Sequence, residues 1–373
     1  MRRLVAALVL VSALSVPASA HGLGWASETL TPPAFSEATR LEAVSCSSSS
    51  FCSAPGWYTI EGFEETIHSY GTYYNWNGSS WSSAGSLPEA DLIISGASCT
   101  SSSFCVAVGD YERGSWTYAA HWNGTKWTLV STPNPNFSEN HLDGVSCTSS
   151  TACTAVGNGA GETIAMRWNG TSWSTQTPPN PGTPNKLKGV SCTSSTHCVA
   201  VGSKTSSGTE VTLAMTWNGT TWTTQTTPNP AGALSASAEA VSCTSSSFCV
   251  AVGVYHASNG PLPFAMHWNG TSWSLQSVKL PAETNFGWVE GVSCTSNTFC
   301  MGAGAYNKIG QGTFAMAQKW NGTSWTAEKP ANPGKSSNEL KAVSCAASNW
   351  CKAAGFYTNG EGVILPFTEH FSG

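Results

Sequence analysis

The sequence predicts an all-β chain folded as a seven-bladed β-propeller. Each blade has four antiparallel strands and one disulfide in its A–B hairpin, and an N-terminal outer strand completes blade seven. Three observations carry this. The 14 cysteines of the 373-residue chain form seven pairs with five residues between partners: Cys46/Cys52, Cys99/Cys105, Cys147/Cys153, Cys192/Cys198, Cys243/Cys249, Cys294/Cys300 and Cys345/Cys351. The first cysteines of successive pairs lie 53, 48, 45, 51, 51 and 51 residues apart, a period near fifty. A W-N-G-x-x-W signature recurs six times, at Trp76/Trp81, Trp122/Trp127, Trp168/Trp173, Trp217/Trp222, Trp268/Trp273 and Trp320/Trp325.

The elements follow in chain order. Residues 1–20 begin with Arg2 and Arg3, continue as an apolar run and end on Ala18-Ser19-Ala20, which is the pattern of a secretory signal peptide. The remainder, 21–373, is expected to be a single domain that does not insert in a membrane. Export makes disulfides the natural state of paired cysteines, whereas zinc knuckles call for closer spacing and a second pair. Each unit then supplies strand A ending in V-S-C, strand B as F-C-V-A-V-G, strand C as A-M-x-W, and strand D from T-S-W. Asn-Gly between C and D predicts a type I′ hairpin with φ > 0 at both central residues. The expected blades are 40–88, 92–133, 141–181, 186–230, 238–281, 288–333 and 339–373. The last stops at His370-Phe371-Ser372-Gly373 without a strand D, and Leu23-Gly24-Trp25-Ala26-Ser27 near the N-terminus matches the missing piece, so 21–33 is assigned to blade seven.

Charge excludes whole classes of function. Charged side chains make up 10% of the chain, against about a quarter in an ordinary protein. Removing Arg2 and Arg3 leaves 14 basic and 21 acidic residues, a net −7. Neither nucleic acid nor a membrane surface is recruited by such a chain through charge. Only Asp91, Asp110 and Asp143 supply aspartate and only Arg40, Arg113 and Arg167 remain as arginine, too few for calcium cages or an arginine cluster. No cofactor or metal is expected.

The S-C…C…W-N-G-T-S-W repeat, written out in Trp168–Trp173, resembles secreted bacterial seven-bladed propeller repeat proteins and, more loosely, propeller lectins. The chain has no Trp-Asp repeat ending, kelch double glycine or Asp box. The resemblance implies a binding module rather than a particular chemistry.

A–B and C–D turns have one short template, while B–C stretches vary in length, so binding is expected on the B–C/D–A face. Three groups of residues stand out there. Tyr58, Tyr111, Tyr255, Tyr306 and Tyr357 follow the glycine that ends strand B, with Trp57 beside the first, and aromatic faces edged by hydroxyls suit sugar rings. Four residues before the first cysteine of each pair stand Glu42, Ser95, Asp143, Lys188, Glu239, Glu290 and Lys341, which would ring the channel mouth if strand A is innermost. The long first B–C stretch holds Glu61, Glu64, Glu65 and His68. His121, His267 and His370, which precede the last aromatic of strand C, are expected to face solvent. The functional expectation is a secreted, monomeric, non-catalytic module that binds extracellular glycan or cell-wall polysaccharide. An extracellular protein-interaction scaffold is the alternative, and a glycan-cleaving enzyme using two of these carboxylates is the third reading.

Overall fold

A computed structural model describes residues 24–61, 67–111, 116–136, 139–335 and 337–373. All regular structure among them is β. The seven repeats form a propeller ring around a central channel. Repeats two to six are separate four-stranded antiparallel sheets, and in repeat three, for example, the order is His141–Ser149, Ala152–Gly159, Glu162–Trp168, Trp173–Gln176. A curled nine-stranded sheet holds repeats seven and one and completes the ring. Its two halves meet at one parallel pair, Ala38 with Ile364.

Closure takes the expected form. Gly24–Thr29 pairs antiparallel with Ile364–Ser372, from Gly24↔Ser372 to Thr29↔Phe367, so the outermost strand of repeat seven comes from the N-terminal end. All seven expected disulfides are present: Cys46–Cys52, Cys99–Cys105, Cys147–Cys153, Cys192–Cys198, Cys243–Cys249, Cys294–Cys300 and Cys345–Cys351. Each joins strands A and B of one repeat. Disulfides this numerous belong to oxidising surroundings. No helix among the described residues is long and apolar enough to cross a membrane.

The core lies between repeats rather than within them. Seven apolar clusters each join one repeat to the next; one sets Val156 and Ala165 of repeat three against Leu187, Leu213 and Met215 of repeat four. Inside the ring, the serine before each first cysteine accepts a hydrogen bond from the backbone N–H of the next repeat's cysteine. The bonds span 2.8–3.0 Å and run without a break: Cys99 to Ser45, Cys147 to Ser98, Cys192 to Ser146, Cys243 to Ser191, Cys294 to Ser242, Cys345 to Ser293 and Cys46 to Ser344.

The two cysteines of a pair, alike as a sequence motif, stand in different surroundings. Cys52, Cys105, Cys153, Cys198, Cys249, Cys300 and Cys351, all on strand B, are at most 1% exposed, and each belongs to a different one of the seven clusters. Their partners on strand A are only half-buried. The bridge therefore ties the end of the inner strand to the apolar core as well as closing the hairpin.

Two expectations are corrected here. In the six W-N-G-x-x-W turns only the glycine has positive φ, 97–99°. The asparagine side-chain oxygen instead accepts the backbone N–H groups two and three residues on, as Asn123 does from Thr125 and Lys126 at 3.0 Å each. This side-chain mimic of a turn removes the need for a left-handed asparagine, so the turn is not type I′. The histidines before the last aromatic of strand C do not face solvent but are half-buried against aromatic rings, some of their own repeat and some of the next. The His121 ring lies 4.2 Å from that of Trp168, and the Arg167 guanidinium sits 5.5 Å over Trp217. Burial lowers the pKa of His121 to about 4, so it stays neutral. His267 is lowered in the same way, and His370 lies 5.3 Å from Trp350 of its own repeat.

The closing strand is anchored by a buried ion pair. Lys352 on strand B of repeat seven is fully buried, and its ammonium lies 2.6 Å from Glu28 Oε2 and 3.6 Å from the Trp76 ring centroid. Glu28 also accepts from the Trp81 indole at 2.8 Å and the Thr368 hydroxyl at 3.1 Å. Removing one member of such a pair leaves an uncompensated buried charge. We therefore expect Glu28→Ala to lower stability by about 3–5 kcal/mol in urea unfolding, and Glu28→Gln, which keeps an acceptor, to lower it less. Equal losses would contradict this assignment.

Candidate functional site

The seven residues placed four before each first cysteine converge on one cavity of about 320 Å³ at the B–C/D–A end of the channel, together with Trp57, Ile93 and Ile94. A narrower space of about 160 Å³ continues down the axis between the inner strands. Local backbone geometry aims these side chains. In repeats two to seven the A–B register slips at this position, between Leu142 and Gly144 for Asp143 and between Leu340 and Ala342 for Lys341, for example. A bulge of this kind turns the extra residue out of the strand's alternation. In repeat one strand A breaks between Leu41 and Ser45, and the N–H groups of Glu42 and Ala43 both donate to Pro55 O at 3.3 Å. The next residue is always Gly or Ala because inner strands meet closely there: a Cβ on Gly144 would lie 2.9 Å from Lys188 O.

The mouth has more carboxylates than cations to neutralise them. Lys341 Nζ lies 2.7 Å from Glu290 Oε1, and Lys188 Nζ lies 3.9 Å from Asp143 Oδ1. The other oxygens of those acids, Glu290 Oε2 and Asp143 Oδ2, are shielded and lack a hydrogen-bond partner. Burial pushes the Glu42 carboxyl above its usual range, aided by the charge of Glu290, while Lys341, Arg40 and a Trp57 hydrogen bond act against it. Burial likewise raises Asp143 to about 6, with Asp110 and Glu239 adding to the shift and Lys188 and His141 opposing it. Lys341 is held above its ordinary value although burial opposes charge there, because Glu290, Glu42 and Glu339 surround it.

The tyrosine rim has a different character. Each of the five packs on an aromatic ring of strand C in its own repeat: Tyr58 on Tyr70 at 5.6 Å, Tyr111 on Tyr118 at 6.5 Å, Tyr255 on Phe264 at 6.4 Å, Tyr306 on Phe314 at 5.6 Å and Tyr357 on Phe367 at 5.9 Å. All are half-buried. Tyr306 also lines a cleft of about 540 Å³ between repeats five and six, with Glu283, Lys308, Glu328, Lys329 and Asn332. Trp57 parts from Tyr58 because neighbouring strand residues point to opposite faces. In the first B–C stretch Glu61 is exposed and His68 Nδ1 lies 3.3 Å from Asp91 Oδ1, while Glu64 and Glu65 lie outside the described residues.

The disulfides take no part in either cavity. Neither the channel mouth nor the Tyr306 cleft is lined by a cysteine, and the strand B sulfurs of Cys52, Cys105, Cys153, Cys198, Cys249, Cys300 and Cys351 are closed off in the core. Each disulfide joins strands A and B of its own repeat.

Sequence reasoning missed Arg40 and Ile93. Arg40 pairs with Trp57 across strands A and B, its guanidinium 5.7 Å from the indole, and Ile93 sits two residues before Ser95. Both are two residues from a ring position, a spacing that could have found them.

No family model matches the chain, and no curated protein matches it either. Solved structures do. The chain is similar to YCF48 bound to a D1 peptide (12% identity, TM-score 0.54, covering 96% of this chain and 100% of that one). It is also similar to a protein of unknown function from Dyadobacter fermentans (10% identity, TM-score 0.54, 93% and 98%). A third similar structure is a polysaccharide lyase, an ulvan lyase (9% identity, TM-score 0.54, 89% and 94%). At these identities the likeness is one of fold, the β-propeller.

Asp143 gives the site a pH signature. Its carboxyl titrates near pH 4 when unfolded and near pH 6 when folded, so between those values the folded chain holds the extra proton and loses stability as pH rises. The loss from this group is at most about 3 kcal/mol. Urea unfolding from pH 4 to 7 should show it, and Asp143→Asn should flatten the profile. An unchanged slope in the variant would contradict the assignment.

Proposed function

We propose that the chain is a secreted, extracellular, non-catalytic binding module whose B–C/D–A face holds carbohydrate. Residues 1–20 act as the export signal in this reading, and the curled nine-stranded sheet counts as two blades of a seven-bladed ring. The observation that carries the ligand class is the cleft beside Tyr306. It combines an aromatic side chain with a side-chain amide, two carboxylates and two ammonium groups. A sugar ring uses that mixture, the apolar face against the aromatic ring and the hydroxyls toward polar groups at the edge. The other four tyrosines complete the rim, and weak sites repeated around a ring would add by avidity.

A protein-interaction role is the second reading. Six of the eight large apolar side chains exposed among the described residues lie on this same face: Phe35, Ile67, Ile93, Trp116, Leu234 and Ile309.

A glycan array with the chain from His21 onward tests the first reading. Binding is expected to at least one bacterial cell-wall or plant polysaccharide, to fall at least tenfold in Tyr306→Ala, and to leave the polymer uncut by a reducing-end assay. A Tyr111/Tyr255/Tyr306→Ala triple variant that binds as the parent does would remove the rim from the account.

A further inference from the structure

We propose that the channel mouth is a second binding site, independent of the sugar cleft, which takes a basic side chain of a partner polypeptide while the apolar residues around it cover the flanking chain. Four acids and two lysines surround the cavity, and only Lys341 is in close contact with an acid, Glu290. The shielded oxygens of Asp143 and Glu290 have no donor. An ammonium or guanidinium group brings three to five donors with its charge and can meet Glu42 and Glu239, which line the cavity and are in no ion pair among the described residues.

Other ligands fit less well. An anion would meet the carboxylate excess. A bare divalent ion needs converging oxygen ligands, whereas Lys188 and Lys341 interrupt the acids around the ring, and no group of three metal-ligating side chains occurs among the described residues. A neutral sugar leaves the charge uncompensated. The surroundings favour a polypeptide: Ile93, Ile94 and Trp57 line the cavity itself, and Phe35, Trp116, Leu234 and Ile309 stand exposed on the same face.

The raised carboxyls of Glu42 and Asp143 support a binding role, since a charge that its own surroundings fail to stabilise is one that a cationic ligand can. Their neutral isosteres should therefore fold at least as well as the parent, which separates loss of binding from loss of fold.

The experiment uses fluorescence anisotropy at fixed ionic strength with a labelled nonapeptide in which three lysines alternate with Leu and Phe. Saturable binding is expected, at least tenfold weaker when the lysines are Nε-acetylated and at least threefold weaker when Ser replaces Leu and Phe. The Glu42→Gln/Asp143→Asn double variant should lose at least tenfold in affinity without a lower melting temperature. Glu162→Gln/Glu361→Gln, two exposed acids at B–C ends of the same face, should change affinity less than twofold. Absence of binding, equal binding of the acetylated peptide, or equal losses in the two double variants would overturn the proposal. Tyr306→Ala should bind the peptide as the parent does, so failure of the sugar reading and failure of this one are told apart.

Discussion

The whole ring rests on how seven inner strands approach one another. A serine hydroxyl at the end of each reaches the backbone N–H of the next repeat's cysteine, and a residue no larger than alanine lets the strands close in beside it. Each of these cysteines thereby serves two neighbours. Its sulfur holds its own hairpin together, and its amide ties that hairpin to the preceding repeat. Buried N–H groups without a partner are costly, so the serine is as much part of the repeat as the cysteine it precedes. This accounts for the S-C pair in all seven units without any reactive serine.

Further out, the repeats interlock through aromatic surface. In five of the six W-N-G-x-x-W turns the first Trp donates its indole N–H to a carbonyl of the A–B turn in its own repeat, as Trp168 does to Ser150 O at 3.0 Å, and Trp217 is the exception. The residue beside it on strand C reaches the tryptophans of the next repeat, whether it is His121 or Arg167. Histidine and arginine share one position because both can set a polarisable group against an indole ring, His121 edge-on to Trp168 at 84° and Arg167 as a cation over Trp217. The inner hydrogen-bond circle and these outer contacts together leave the B–C/D–A face as the part of the ring freest to vary.

Much of this was legible in the sequence because the constraint repeats. Cysteine spacing, the C–D tryptophans and the matching chain ends each recur or complement one another, and a single sequence suffices to see them. Spacing alone could not tell the buried sulfur of Cys153 from the half-buried one of Cys147, since that difference comes from the neighbouring repeat that packs on strand B. The ring of residues from Glu42 to Lys341 was visible through its repetition, although the bulge that aims it was not, since a bulge adds no special residue beyond the Gly or Ala that follows. The histidines were misplaced because tolerance of His, Arg, Thr and Lys at one position looks like solvent exposure. It reflects instead a half-buried place beside aromatic rings, which His121, His267, His370, Arg167 and Lys319 each meet in a different way. The tyrosines' partners on strand C vary between Tyr and Phe and sit at register positions that only the paired strands reveal.

The meeting of the two chain ends within one sheet has a bearing on biogenesis. Every disulfide spans a sequence separation of 6, so each hairpin can be stapled as soon as it emerges and has little chance of mispairing. The Gly24–Thr29 strand, by contrast, waits for a partner that lies more than three hundred residues away, and such long-range pairing is slow to form. A chain cut short anywhere before its last strand would carry well-made hairpins and an unclosed ring, and the unpaired edges of that ring would mark it as unfinished.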